Sequence, residues 1–208
     1  YVLYKCLKHT DNAAVTTILV TGFEPYGGLT FNPTERIINV LALSGDPDLV
    51  TALLPTSYLR AEADLIDLLR AHLPSAVLML GLKQHSSGLC VENVALNMDS
   101  SVAPDNDGEI RLRKRIIKGA PDNYPNTLSL DLMANISIDM GEPVDFSHDA
   151  GGYVCNHAFF VAAHVIAKEL DNCSCGFIHV PPIQESSERM MRVIDIVQNW
   201  IKLLKAEA

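Results

Sequence analysis

Short apolar runs closed by Gly or Pro alternate along this chain with stretches whose apolar positions recur at helical spacing. Thr17-Ile18-Leu19-Val20-Thr21-Gly22 has the pattern of a buried strand and stops at glycine. Leu49 to Leu54, ending at Pro55-Thr56-Ser57, reads as a second strand, and Ala76 to Leu82 as a third. Val91 to Met98 is a fourth, with a single acid, Glu92, inside it. Val144 to Ser147 is a short strand, and Gly176-Phe177-Ile178-His179-Val180 is another buried one, closed by Pro181-Pro182. Between them lie helices. Asn32 fits an N-cap, Pro33 the first helical position and Glu35 the third, which starts a helix running to about Leu43. Leu65, Leu68 and Leu69 mark a helix over residues 59–72, and Leu128 to Ile136 suggests another. A long apolar helix opens at Cys155 and runs to Leu170, and Ser186 to Leu204 is amphipathic. Strands alternating with helices predict an α/β sheet with helices on both faces.

At 208 residues, 48% hydrophobic, the chain is long enough for one sizeable core, so residues 17–208 are expected to form a single domain. Residues 1–16 lack periodicity and read as an N-terminal extension; Tyr1 to Cys6 is too short and too mixed for a signal peptide, and the absence of an initiating Met suggests a fragment. A formal charge of −9 argues against a nucleic-acid or anionic-membrane surface. No apolar run has the length of a membrane span. The five cysteines show neither zinc-ligand spacing nor a disulfide framework, which points to a reducing cytoplasm. Cys173-Ser174-Cys175 reads as a turn entering a strand, and Arg111 to Lys118 as a solvated basic stretch. The loop from Gly22 to Gly28 lacks the spacing of a phosphate cradle, and no H-x-x-x-H pattern supports a metal.

The candidate chemistry starts at Asp149-Ala150-Gly151-Gly152-Tyr153-Val154-Cys155, where small residues lead to a cysteine at a helix start. Unpaired backbone N–H groups and the helix dipole favour a thiolate there, so Cys155 reads as a nucleophile; the alternative is a small core hydrophobe. His179, one helix and one loop downstream, is either a satisfied core histidine or the base for that thiol. Glu92 either faces solvent or has a partner, since an unpaired buried carboxylate is costly, and it suits the group that orients an imidazole. His148 is a rival base. His157 is expected to point away from Cys155, His164 to lie on the helix surface, and His72 and His85 to be exposed.

Five segments, in order, carry a resemblance. They are Thr21-Gly22-Phe23-Glu24-Pro25-Tyr26-Gly27-Gly28 with Asn32-Pro33-Thr34; Glu92-Asn93-Val94-Ala95-Leu96-Asn97; Pro104-Asp105-Asn106-Asp107-Gly108; Ala150 to Asn156; and Gly176 to Pro181. Together they resemble the pyroglutamyl-peptidase type I family. The resemblance implies a twisted mixed sheet sandwiched between helices. It implies a cysteine peptidase that removes N-terminal pyroglutamate from peptides without metal or cofactor, with Cys155 as nucleophile, His179 as base and Glu92 as its orienting partner. Phe23, Tyr26, Thr56, Tyr153 and Val154 would line the lactam pocket, with Phe23 and Tyr26 sandwiching the ring. The family includes monomers and tetramers, so the resemblance allows a homo-oligomer, dimer or tetramer, without requiring one. Two departures stand out: Val102 occupies the position where many members carry an arginine, and the loop Lys83-Gln84-His85-Ser86-Ser87 lacks the usual Gly-Arg. These leave two alternatives open, a catalytically weakened binder of pyroglutamyl peptides and another cysteine amidase on the same scaffold.

Overall fold

A computed structural model describes residues 16–208, so the predicted extension lies, apart from Thr16, outside the described residues. Along the chain run β1 (Ile18–Phe23), α1 (Pro33–Ala42), β2 (Leu49–Leu54), α2 (Tyr58–His72), β3 (Ala76–Leu82), β4 (Leu89–Glu92), β5 (Val94–Leu96), β6 (Asp99–Ser101), β7 (Arg111–Lys114), β8 (Asn123–Pro125), α3 (Leu130–Asp139), β9 (Val144–Ser147), α4 (Val154–Glu169), β10 (Ser174–Val180) and α5 (Glu188–Glu207). Six strands form one sheet in the order β2-β1-β3-β10-β4-β9. β2, β1, β3 and β10 are parallel, β4 runs antiparallel to β10, and β9 is parallel to β4, so the sheet is mixed.

The central strands are continuous apolar runs because both of their faces are covered. Ile18, Val20, Leu78, Leu80 and Ile178 point to one core layer, with α1, α3 and α5. Leu19, Val77, Met79 and Phe177 point to the other, with α2 and α4. Helix starts follow the sequence signals. Thr34 N–H donates to Asn32 Oδ1 at 3.0 Å, with Pro33 at the first helical position, and Met190 N–H donates to Ser187 Oγ at 3.1 Å. The α3 helix starts two residues later than expected, at Leu130, and runs to Asp139.

Two expectations are corrected. Val91 to Met98 is not one strand. β4 ends at Glu92, and the chain turns at Asn93 into β5, which pairs with β8 in a separate two-stranded sheet. The break is held by Asn93 N–H donating to Ser147 O (2.7 Å) and Asn126 N–H donating to Asn93 O (2.8 Å). Arg111 is not solvated: it opens β7, which pairs with β6, and is buried against Asp99, which accepts from its Nη1 at 2.9 Å. Both small sheets arise after Glu92, and β5 and β6 pack on α4.

Candidate active site

Cys155 is the second residue of α4. The loop before it needs its glycines. Gly151 has φ +80°, and a Cβ on Gly152 would stand 2.4 Å from Ser100 O, because the loop runs flush against β6 and Gly152 O accepts from Ser100 N–H at 2.9 Å. The next residue fixes the helix start. Asn156 Oδ1 accepts from Leu96 N–H at 2.9 Å, and Asn156 Nδ2 donates to Leu96 O at 2.8 Å and Met98 O at 3.1 Å. On the sheet side, Gly81 makes room for the thiol: a Cβ there would meet Cys155 Sγ at 3.0 Å and Phe177 Cζ at 2.6 Å. Gly81 is the register partner of His179 on β10, which brings the sulfur next to the histidine's strand.

Cys155 and His179 share a cavity of about 330 Å³, together with Tyr26, Lys83, His85, Tyr153 and the loop Asp149–Gly151. His179 is buried, and its Nδ1 lies 2.7 Å from Glu92 Oε1. With Nδ1 on the carboxylate, Nε2 is the ring nitrogen left for a proton from elsewhere. Antiparallel pairing of β4 with β10 sets this contact, since Phe177 is the register partner of Glu92 and His179 that of Cys90. Glu92 therefore has partners rather than solvent. Burial raises its pKa, but the hydrogen bond and charge of His179, helped by Lys83, outweigh it and hold the carboxyl below the usual range.

One electrostatic expectation is reversed. Burial pushes the Cys155 thiol up to about 12; the negative charge of Glu92 adds to this, and the cysteine's own backbone N–H opposes it. The helix start does favour the thiolate, but desolvation wins. Desolvation and the Glu92 charge therefore favour the proton staying on this sulfur.

The five expected pocket residues divide. Tyr26 and Tyr153 line the cavity, their ring centroids 5.6 Å apart, and Tyr153 Oη donates to Pro104 O at 2.9 Å. Phe23 is buried against Phe177, with centroids 6.4 Å apart, and Val154 is fully buried in the core. Thr56 donates from Oγ1 to Glu24 O at 3.0 Å and from its N–H to Glu24 Oε1 at 3.0 Å. Phe23, Thr56 and Val154 are not among the residues lining this cavity. Val102 is 84% exposed on the β6–β7 connection and does not line the cavity.

The other histidines fall outside the pair. His148 is exposed, with its Nε2 3.4 Å from Asn93 Nδ2. His164 is half-buried against Tyr124, whose Oη lies 2.8 Å from its Nδ1. His157 is buried, turned into a second ionic cluster: its Nδ1 lies 3.0 Å from Asp99 Oδ2 and its Nε2 3.1 Å from Glu62 Oε2. Arg111 completes that cluster, with its guanidinium 4.4 Å from the Tyr58 ring centroid.

Two residues escaped the sequence reading. Lys83 Nζ donates to Glu92 Oε1 at 3.0 Å and to Cys90 Sγ at 3.2 Å. A lysine directly after a fully apolar strand was the available signal for the first. Cys90, two residues before Glu92 on the same strand and so on the same face, was that for the second.

The family model described as pyroglutamyl peptidase matches residues 16–193. The pyrrolidone-carboxylate peptidase of Thermosipho melanesiensis is 34% identical over 170 residues, covering 79% of this chain and 82% of its own length. That of Thermococcus litoralis is 36% identical over 166 residues, covering 79% and 76%. Among solved structures, a mutant pyrrolidone carboxyl peptidase from P. furiosus superposes with TM-score 0.85 at 30% identity, covering 92% of this chain and 99% of the other. A cysteine and a histidine meeting at the parallel strands' ends, reached through motifs in family order and matched over most of the chain, have one common source: the chain belongs to the pyroglutamyl peptidase family.

Proposed function

We propose that this protein is a cysteine peptidase that removes N-terminal pyroglutamate from peptides, with Cys155 as nucleophile, His179 as general base and acid, and Glu92 as the group that orients and charges the imidazole. The observation that carries it is His179, bonded to Glu92 at 2.7 Å on one ring nitrogen and sharing a cavity with Cys155. The proposed reaction runs in two halves. Cys155 Sγ attacks the pyroglutamyl carbonyl carbon while its proton passes to His179 Nε2. The tetrahedral intermediate collapses, the C–N bond breaks, and His179 returns the proton to the leaving amine. Water, deprotonated by His179, then attacks the thioester, and the C–S bond breaks to release pyroglutamate and restore the thiol. The first-turn N–H groups of α4, which no side chain caps, are the proposed donors to the developing oxyanion.

Substrate choice follows from charge. Pyroglutamate has no ammonium, and a cavity walled by Tyr26 and Tyr153 and closed by the half-buried Cys155 thiol disfavours a charged terminus. Four free cysteines among the described residues support a cytoplasmic location, and no helix of the described residues is long and apolar enough to cross a membrane. Exposed Ile110 and Leu112 beside Val102 support a homo-oligomer. One observation favours the weakened-binder alternative: a thiol pushed up to about 12 is slow unless His179 takes its proton. The test is turnover of a fluorogenic pyroglutamyl amide against its free-N-terminus counterpart, with and without iodoacetamide. Selective, iodoacetamide-sensitive turnover is expected. Equal turnover of both substrates would favour another amidase, and binding without turnover the weakened binder.

A further inference from the structure

Three donors converge on one oxygen of the buried carboxylate. Glu92 Oε1 accepts from His179 Nδ1 at 2.7 Å, from Lys83 Nζ at 3.0 Å and from Cys90 Sγ at 3.5 Å. The other oxygen, Oε2, is buried and makes no close hydrogen bond among the described residues, although the Ser147 hydroxyl is near enough to help hold the carboxyl's pKa down. Lys83 is held in place by its own backbone, whose N–H donates to Val180 O at 3.0 Å at the end of β3. Its side chain also forms part of the wall of the cavity that holds Cys155 and His179, and it is the only Lys or Arg among the lining residues.

We propose that Lys83 is a positioning residue whose charge, acting through Glu92, sets the reactivity of the Cys155 thiol; this rests on the reading of Cys155 as nucleophile. The physical reason is a conflict built into the site. The carboxylate that orients the imidazole is also a fully buried negative charge, and a negative charge opposes formation of a thiolate nearby. An ammonium 3.0 Å from the same oxygen offsets that field without displacing His179 from it. The offset is partial, because the Lys83 side chain is 37% exposed and screened on that side, whereas Glu92 is fully buried. The other titratable groups facing this cluster are Cys90 on β4, Tyr153 just before α4, Tyr26 after β1, and His85 and Asp149 on the rim. Burial raises the pKa values of both Tyr26 and Tyr153, and among the described residues the loss of Lys83 leaves no lysine or arginine on the wall.

The experiment is the pH dependence of Cys155 alkylation by iodoacetamide, followed by peptide mapping so that Cys155 is read separately from Cys173. It uses the full chain as wild type, Lys83→Arg, Lys83→Gln and Lys83→Met, each also in a Glu92→Gln background. Loss of the charge is expected to move the Cys155 curve up by about one pH unit, which is about tenfold slower alkylation at a fixed pH below the midpoint. Lys83→Gln, which keeps a hydrogen-bond donor without the charge, should shift like Lys83→Met and serves in its place if the latter does not fold. Lys83→Arg should restore the wild-type curve, and in the Glu92→Gln background neither neutral variant should slow alkylation. Curves of Lys83→Gln and Lys83→Met that overlie wild type would overturn the proposal, as would slowing that persists without the carboxylate. Turnover of a pyroglutamyl amide that survives complete alkylation of Cys155 would instead remove the nucleophile reading beneath it.

Discussion

Two buried ionic clusters flank α4, and they are built differently. On one side Asp99, Arg111, His157 and Glu62 close on one another. Asp99 accepts from Arg111 at 2.9 Å and lies 3.0 Å from His157, and both ring nitrogens of His157 have a carboxylate partner. On the other side Glu92, His179 and Lys83 leave one carboxylate oxygen and one ring nitrogen of His179 without a hydrogen bond among the described residues, and two of the three open onto a cavity with a thiol in it. A closed network fixes geometry, whereas an open one has capacity left for a proton or a substrate atom. Both clusters contain a histidine and a buried carboxylate, so the residue types alone do not tell them apart. What distinguishes them is which bonds are left unmade.

That contrast is open to attack by mutation. The largest effect on stability is expected from Arg111→Met, which leaves the buried Asp99 with His157 as its one remaining cationic partner among the described residues: a loss of about 3 kcal/mol, read by urea unfolding. Glu92→Gln is expected to act in the opposite way, with a fall in kcat of about 10²–10⁴ and a much smaller change in the urea midpoint. If Glu92→Gln unfolds the protein while Arg111→Met halts turnover in a folded one, the two clusters have been assigned the wrong way round.

A subtler effect comes from pH. The folded-state pKa of His157 is raised: burial works against it, but Asp99 and Glu62 more than compensate. Its contribution to stability is thus complete below the unfolded imidazole value of about 6.5 and is lost as pH rises through the higher folded value. Melting temperature should fall as pH rises above the unfolded imidazole value of about 6.5, and His157→Gln should flatten that limb. Glu62 and Glu92, both lowered in the fold, contribute above their unfolded values and lose that contribution in acid. The smallest effect is expected at Val102→Arg: the position is 84% exposed and off the cavity wall, so turnover should change by less than about twofold, the scale of a surface substitution. A large gain in turnover would show that this connection folds over the site.

The sequence made the sheet legible because its central strands are buried on both faces and so stand out as unbroken apolar runs. The helix starts at Asn32 and Ser187 were visible through their caps, although only the first was read as one. The small strands were not legible. Asp99–Ser101 and Asn123–Pro125 have three residues each, too few to show a period, and β5 merged with β4 because both are apolar. Arg111 was misread because a basic run looks solvated until one of its members finds a buried acid. At the site, motif order brought Cys155, His179 and Glu92 together on paper, and β4–β10 pairing gives the last two their contact. The thiol's proton affinity was misjudged because a helix start is visible in sequence, whereas burial beneath tertiary neighbours is not. Lys83 was passed over for the same reason: its partner lies nine residues away on a strand two places along the sheet.

The most direct test is Cys155→Ala, with turnover of a pyroglutamyl amide and the melting temperature measured on the same preparation. The account predicts that turnover disappears while melting is nearly unchanged, because the thiol is the reacting group and Asn156, Gly152 and Gly81 hold its surroundings in place. Turnover close to wild type in a folded Cys155→Ala protein would contradict it.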